Sequence, residues 1–410
     1  MGLAARVLGI LLLLATFPGS LALAAAPPAP APARDAQSSQ PGGASTAPSA
    51  ADLAGQELAK LNTAALQPLV DQAGAALPGS GFGWPSLGQL LHGGGVLLHP
   101  SQLITSLSNL LVGELRANLG LLARLLVLVV LAAAVRQLHG AFESETVGRV
   151  ADAAVFLALG VVCLAGFSTA VHLARSAVAD LSSFLLAMLP ALVGLLAATG
   201  SVTSATLVQP ALVAAVTGVS LVVRVVILPL VVLAAVLDVV SALNPDFRLT
   251  GLAGLLRQWS LLVLGLASTV FLGVVAVQGM AGAVADGVAW RTGKYAVRSL
   301  LPVVGGLISD AADLVLTSGL LLRSGLGLIG LVTVALLVVV PVLKLLALSL
   351  IYRGAAALAQ PVGGEAVAGV LGGLGSAVVL LTAAVAVVGL MCFLALAVLV
   401  GAGGAVWAAR

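Results

Sequence analysis

From residue 117 to the carboxyl end, long apolar runs alternate with short polar breaks. A helix that crosses a bilayer needs about 20 consecutive apolar residues. The pattern predicts such segments at residues 117–135, 153–172, 181–199, 206–243, 259–277, 325–343 and 371–400. The block at 206–243 is too long for one simple span, since at about 1.5 Å per residue it approaches 60 Å. Arg224 and Pro229 interrupt it. It reads either as two spans with a tight turn near Arg224 or as one span that continues as a broken helix. Residues 299–322 are more polar, and Pro302, Gly305, Gly306, Asp310 and Asp313 split them into two half-length apolar pieces. Such pieces predict a re-entrant or broken helix lining a cavity. The expected fold is therefore all-α: a polytopic helical membrane protein with six to eight spans and at least one broken or re-entrant helix.

The segment before residue 117 is organised differently. Arg6 followed by the apolar run 7–17, then Pro18-Gly19 and Ala22-Leu23-Ala24, predicts a signal peptide over 1–24, cleaved after Ala24 or retained as an anchor. Residues 25–50 are Ala, Pro, Ser, Gly and Gln, a disordered linker that cannot bury a core. Over 51–116 apolar residues return at helical spacing: Leu53, Leu58, Leu61, Leu66, Leu69 and Val70, with Asp52, Glu57, Lys60 and Asp71 between them. After a Gly/Pro break at 78–85, a second amphipathic run covers 103–115. This predicts a small helical extracytoplasmic region packed on the membrane or on partners, followed by a multi-span domain over 117–410.

Composition sharpens the class. The chain is 60% hydrophobic and 8% charged, against about 25% charged in soluble domains, so it could not cover its own surface in water. The net charge of +3 is spread over span-flanking positions. It reads as topology signal, not as a nucleic-acid surface. Cys163 and Cys392 lie singly in apolar runs and read as small buried hydrophobes. No Walker motif is present, so ATP energy has to come from another protein. The scattered histidines, His92 and His99 among them, give no ligand set, and no cofactor is expected. With the amino end outside, the loop 136–149 lies inside and Arg175 and Asp180 outside. A single net crossing by 206–243 then puts Arg291, Lys294 and Arg298 inside, as the positive-inside rule prefers.

The polar cluster inside this apolar chain is where chemistry concentrates. It contains Gln278, Asp286, Arg291, Lys294, Arg298, Asp310 and Asp313. Asp310 and Asp313 share one helix face. They read as a polar strip lining a pore or gate, or as partners of Arg298 or Arg323. Asp286 reads as part of a loop ordered against other subunits, or as a cap or ion pair with Arg291. Asp238, within the 206–243 block, must face protein or water. It either couples ion transport or pairs with Arg224 or Arg257. Arg124 and Arg224 can snorkel. Gly325-x-Gly327-x-x-Gly330 matches a dinucleotide fingerprint as text only, because it follows no strand and opens an apolar helix. It and Gly369-x-x-x-Gly373 read as small-residue helix packing. Gln278, Asp286, Arg291, Lys294, Asp310, Asp313 and Asp238 are the candidate pore or partner-contact residues. No catalytic or metal-binding residue is expected.

Several segments, in order, carry a family resemblance. They are residues 142–147 (Phe-Glu-Ser-Glu-Thr-Val), Gln278-Gly279, Asp286-Gly287, Arg291-Thr292-Gly293-Lys294, residues 302–306 (Pro-Val-Val-Gly-Gly), Asp310-Ala311-Ala312-Asp313 and Gln360-Pro361. From about residue 115 to the end the chain resembles the stage III sporulation protein AE family. The resemblance implies a non-enzymatic, channel-like or platform subunit in the mother-cell membrane around the forespore, with its amino-terminal region in the intermembrane space. It implies partnership with the other stage III sporulation A-operon proteins, including an ATPase and ring-forming subunits, and with stage II sporulation protein Q on the forespore side. The implied complex supports late forespore gene expression. The bilayer is a further partner, self-association is possible, and no nucleic acid is expected. The competing reading is an independent ion-coupled secondary transporter using Asp238 or Asp310 and Asp313.

Overall fold

The computed structural model describes residues 100–139, 145–198, 202–243, 249–300, 305–362 and 365–401. The signal segment, the linker and residues 51–99 lie outside these, as do the side chains of residues 278–326. Among the described residues there are helices and no strands. We label them α1 (Pro100–Ala117), α2 (Leu119–His139), α3 (Glu145–Ala198), α4 (Val202–Val222), α5 (Leu228–Leu243), α6 (Thr250–Leu300), α7 (Gly305–Ala359) and α8 (Glu365–Gly401). Among the described residues five helical stretches are long and apolar enough to cross a membrane, and a bent α1–α2 pair makes up to six. The fold is that of an all-α polytopic membrane protein.

Two details depart from the sequence reading. The segments 153–172 and 181–199 are halves of one unbroken 54-residue helix, α3. The stretch from His172 to Asp180, where they join, also holds Arg175 and Ser176 but no Gly or Pro. Its Ala and Leu residues favour helix, and charge alone does not end one. Likewise, the two pieces expected within 299–322 do not alternate with a break at Asp310 and Asp313. Helix α7 starts at Gly305 and runs through both to Ala359.

The 206–243 block is a single path with a local fault. Between α4 and α5 the residues Val223–Ile227 form a π-turn, in which the Leu228 N–H donates to the Val223 carbonyl. Pro229 explains its place. Proline has no N–H for the carbonyl four residues back and its ring crowds that carbonyl. Widening the preceding turn relieves the crowding without ending the helix. A second fault joins α1 to α2 with a 48° bend. Here the Asn118 side chain donates to the Glu114 carbonyl at 2.8 Å, competing with the helical backbone.

Contacts between helices give the bundle a polarity. A Cβ added to Gly160 on α3 would stand 3.4 Å from Val239 on α5, Arg257 on α6 reaches Asp238 on α5 and the Gly373 carbonyl on α8, and Tyr352 on α7 donates to the Cys163 carbonyl on α3 at 2.8 Å. These place the α2–α3, α5–α6 and α7–α8 connections at one end, which we call the base. The large exposed apolar side chains follow this polarity. Leu157 and Val161 on α3, Leu221, Val225 and Leu233 on the α4–α5 path, Leu252 to Val277 on α6 and Leu350 and Leu358 on α7 form a belt above the base. Beyond it, Leu186 is 36% exposed, and most other described exposed positions of α3 and α4 are small or polar, among them Ser176, Ser183, Ala187, Ala214 and Thr217. The belt marks the lipid-facing zone, because only there does water not charge for apolar exposure.

Helices α7 and α8 form the centre. Leu371, Leu374, Val378, Leu381, Val385 and Leu396 of α8 are all 0% exposed. Close approach rests on glycine: a Cβ on Gly389 of α8 would run into Val338 of α7. In a bilayer, where lipid tails compete with apolar contacts, such small-residue approach is what lets helices gain packing energy.

Candidate functional site

Asp238 sits on the last turns of α5, and Arg257 lies early in α6, one short connection away. The two form an ion pair, with side chains 10% and 23% exposed. The same guanidinium donates to the Gly373 carbonyl of α8 at 3.2 Å, so one cation ties three helices together. Gly373 makes room for this, since a Cβ there would lie against the Asp238 carboxylate. Of the two arginines weighed as partners from sequence, the structure selects Arg257. Arg224, on the π-turn, is exposed, and so is Arg124 on α2. A carboxylate and a guanidinium at this depth each offset the other's desolvation, and the backbone carbonyl takes a further donor.

The remaining candidates lie together along the chain but away from the belt. Helix α6 continues beyond Val277 for residues 278–300. That continuation carries Gln278, Asp286, Arg291 and Lys294. Helix α7 begins with residues 305–329, ahead of the packed Gly330, and carries Asp310 and Asp313 there. At about 1.5 Å per residue, each arm extends roughly 35 Å. Only residues 301–304 separate the arms in sequence, so the structure puts all six on the two helices flanking one connection at the end opposite the base. Their side-chain partners, and those of Arg298 and Arg323, lie outside the described residues.

The glycine motifs resolve into packing. Gly330 of the text-only fingerprint faces Met188 of α3, whose Cε would be 2.7 Å from an added Cβ, and Gly327 faces Val400 of α8. Cys163 and Cys392 are buried at 0% and 1% exposure, as free thiols. Two features escaped the sequence reading. Lys344 of α7 pairs with Glu114 of α1 at 3.6 Å, docking the amphipathic helix on the bundle. Its signal was a lone lysine in an apolar run. The Tyr352–Cys163 bond had no signal, because nothing in either local sequence names a partner 189 residues away. Among the described residues no group of three or more His, Cys, Asp or Glu could hold a metal ion.

Comparison with known proteins agrees with this architecture. The family model for stage III sporulation protein AE matches residues 85–403, so the likeness starts within the amphipathic region, earlier than the motifs from about residue 115 indicate. The stage III sporulation protein AE of Bacillus subtilis (strain 168) is 35% identical over 304 residues, covering 74% of this chain and 76% of the relative. No solved structure matches. A polytopic helical bundle carrying its charged cluster on two arms at one end, and matching that family over most of its length, is a member of the stage III sporulation protein AE family and a protein of sporulation.

Proposed function

We infer that the chain is a non-enzymatic membrane platform, channel-like in company with other subunits, within the complex that joins mother cell to forespore and supports late forespore gene expression. The observation that carries this reading is the length and direction of the helices. With 51 and 55 residues, α6 and α7 run far past the roughly 20 that a bilayer needs. They carry the charged cluster to the end opposite the base. On this reading the α1–α2 pair, α3, the α4–α5 path and α6 cross once each, and the arms share a side with the amino-terminal region. On this reading that side is the intermembrane space, the protein sits in the mother-cell membrane around the forespore, and the arms meet ring-forming A-operon subunits and stage II sporulation protein Q. ATP energy enters through a separate ATPase. The filled α7–α8 centre supports a passage between copies or between this chain and its partners. The transporter alternative loses its strongest residue, because Asp238 is engaged by Arg257.

The test is disruption of the gene in its own host, with a late forespore reporter read after engulfment. The expected result is normal engulfment and a silent reporter, restored by the intact gene. Complementation with the double variant Asp310→Asn, Asp313→Asn follows. Contact with partners predicts that this protein stays in the membrane but no longer co-purifies with them. A reporter unaffected by disruption would sink the reading. A double variant that assembles normally yet fails in function favours ion coupling instead.

A further inference from the structure

A groove of about 200 Å³ runs between α3 and α5 at the upper edge of the apolar belt. Its α3 wall is Leu164, Phe167, Ser168, Val171, His172 and Arg175. These positions step by three or four residues and so form one stripe along the helix. Val232 and Val236, four apart on α5, make the opposite wall. The stripe is graded: apolar at the end nearer the base, cationic at the other. His172 and Arg175 are exposed, while Phe167 is 2% exposed.

Depth gives the gradient meaning. The apolar stretch of α3 runs over Ala154–Gly194, about 60 Å at 1.5 Å per residue and twice the roughly 30 Å hydrocarbon core of a bilayer. Only one half of it fits the hydrocarbon, and the half on the base side of Arg175 carries the more exposed apolar side chains, Leu157 and Val161 at 57% and 68%. With the start of the belt at one membrane surface, Arg175 stands in the headgroup layer of the opposite leaflet, and the apolar part of the groove descends into the hydrocarbon. Neither nearby carboxylate competes for the cation. Asp180 is five residues further on, about 140° around the helix, and Asp238 is paired with Arg257.

We propose that this groove is a binding site for an anionic phospholipid. The phosphate sits between Arg175, His172 and the Ser168 hydroxyl, and one acyl chain lies along Phe167, Leu164, Val171, Val232 and Val236. The site belongs to the leaflet on the side of the α6 and α7 arms.

The full chain, purified in mild detergent, is titrated with vesicle-derived anionic phospholipid and with a zwitterionic phospholipid of the same acyl chains, retained lipid being read by native mass spectrometry. The anionic lipid is expected to be retained selectively. Arg175→Gln is expected to weaken that retention about fivefold, and Arg175→Lys to keep most of it. Val236→Trp, which fills the groove and leaves both cations in place, is expected to weaken retention of either lipid. Excess inorganic phosphate is expected to leave the lipid bound. Equal retention of the two lipids by the unchanged chain, or anionic retention untouched by both Arg175→Gln and Val236→Trp, overturns the site. Displacement by inorganic phosphate overturns the lipid assignment, since the cations would then be reading a free anion.

Discussion

At the residue scale the Asp238–Arg257 pair is the clearest case of chemistry set by surroundings. Removing one member leaves the other half-buried and unmatched. A fully buried pair broken this way costs 3–5 kcal/mol; the partial exposure of both side chains brings the expected loss down to about 1–3 kcal/mol. Asp238→Asn and Arg257→Gln should each lower thermal stability in detergent by that order. The exchange Asp238→Arg with Arg257→Asp should recover part of it, and no recovery would show that the pair does not act as a unit. Two glycines of α8 give a matched contrast. A methyl on Gly389 meets Val338, so Gly389→Ala should destabilise by about 1–3 kcal/mol. A methyl on Gly369 meets nothing within 4 Å. Gly369→Ala should therefore stabilise by about 0.5–1 kcal/mol, through the helix entropy that glycine forfeits. The same unfolding measurement checks both, and equal effects would contradict the packing described.

At the element scale, the ion pair that docks α1 on α7 is weaker than its position in an apolar run suggests. Lys344 and Glu114 are 39% and 28% exposed and 3.6 Å apart, which is the regime where solvent screens most of the attraction. Glu114→Gln should shift the unfolding midpoint by less than the equivalent of about 1 kcal/mol. A larger loss would mean that α1 is held by this pair and not by its apolar face. The sequence made α1 and α2 legible through amphipathic and apolar spacing, and Pro229 marked a fault in the 206–243 path. It misplaced the boundary inside α3, because charge was taken as a stop signal. Helices stop where backbone hydrogen bonds fail, and the 172–182 stretch contains neither of the residues that make them fail.

For the whole molecule, the continuity of α3 changes the topology. Read as two spans, it leaves the 140–144 connection and the 301–304 connection on one side of the membrane. As one helix, it makes three crossings between them: α3, the α4–α5 path and α6. Single cysteines introduced into the two connections, in a chain with Cys163 and Cys392 replaced by Ala, should react with an impermeant thiol reagent from opposite faces. Labelling from the same face would mean that α3 does not cross once. With the amino end outside, as proposed, this count puts Arg291, Lys294 and Arg298 on the side the positive-inside rule disfavours. Those residues lie in the last ten positions of the 51-residue α6.

The sequence by itself determined the class, the family and the neighbourhood of the charged cluster. Apolar runs with so little charge can only be solvated by lipid, and ordered motifs survive in text. Tertiary structure alone decided which arginine Asp238 meets, that Gly327 and Gly330 face side chains of other helices, and that His172 and Arg175 crown a groove. The reason is common to all three. Each depends on which helix faces which and at what height, and that register is set by packing between segments as many as 211 residues apart, where local spacing carries no record.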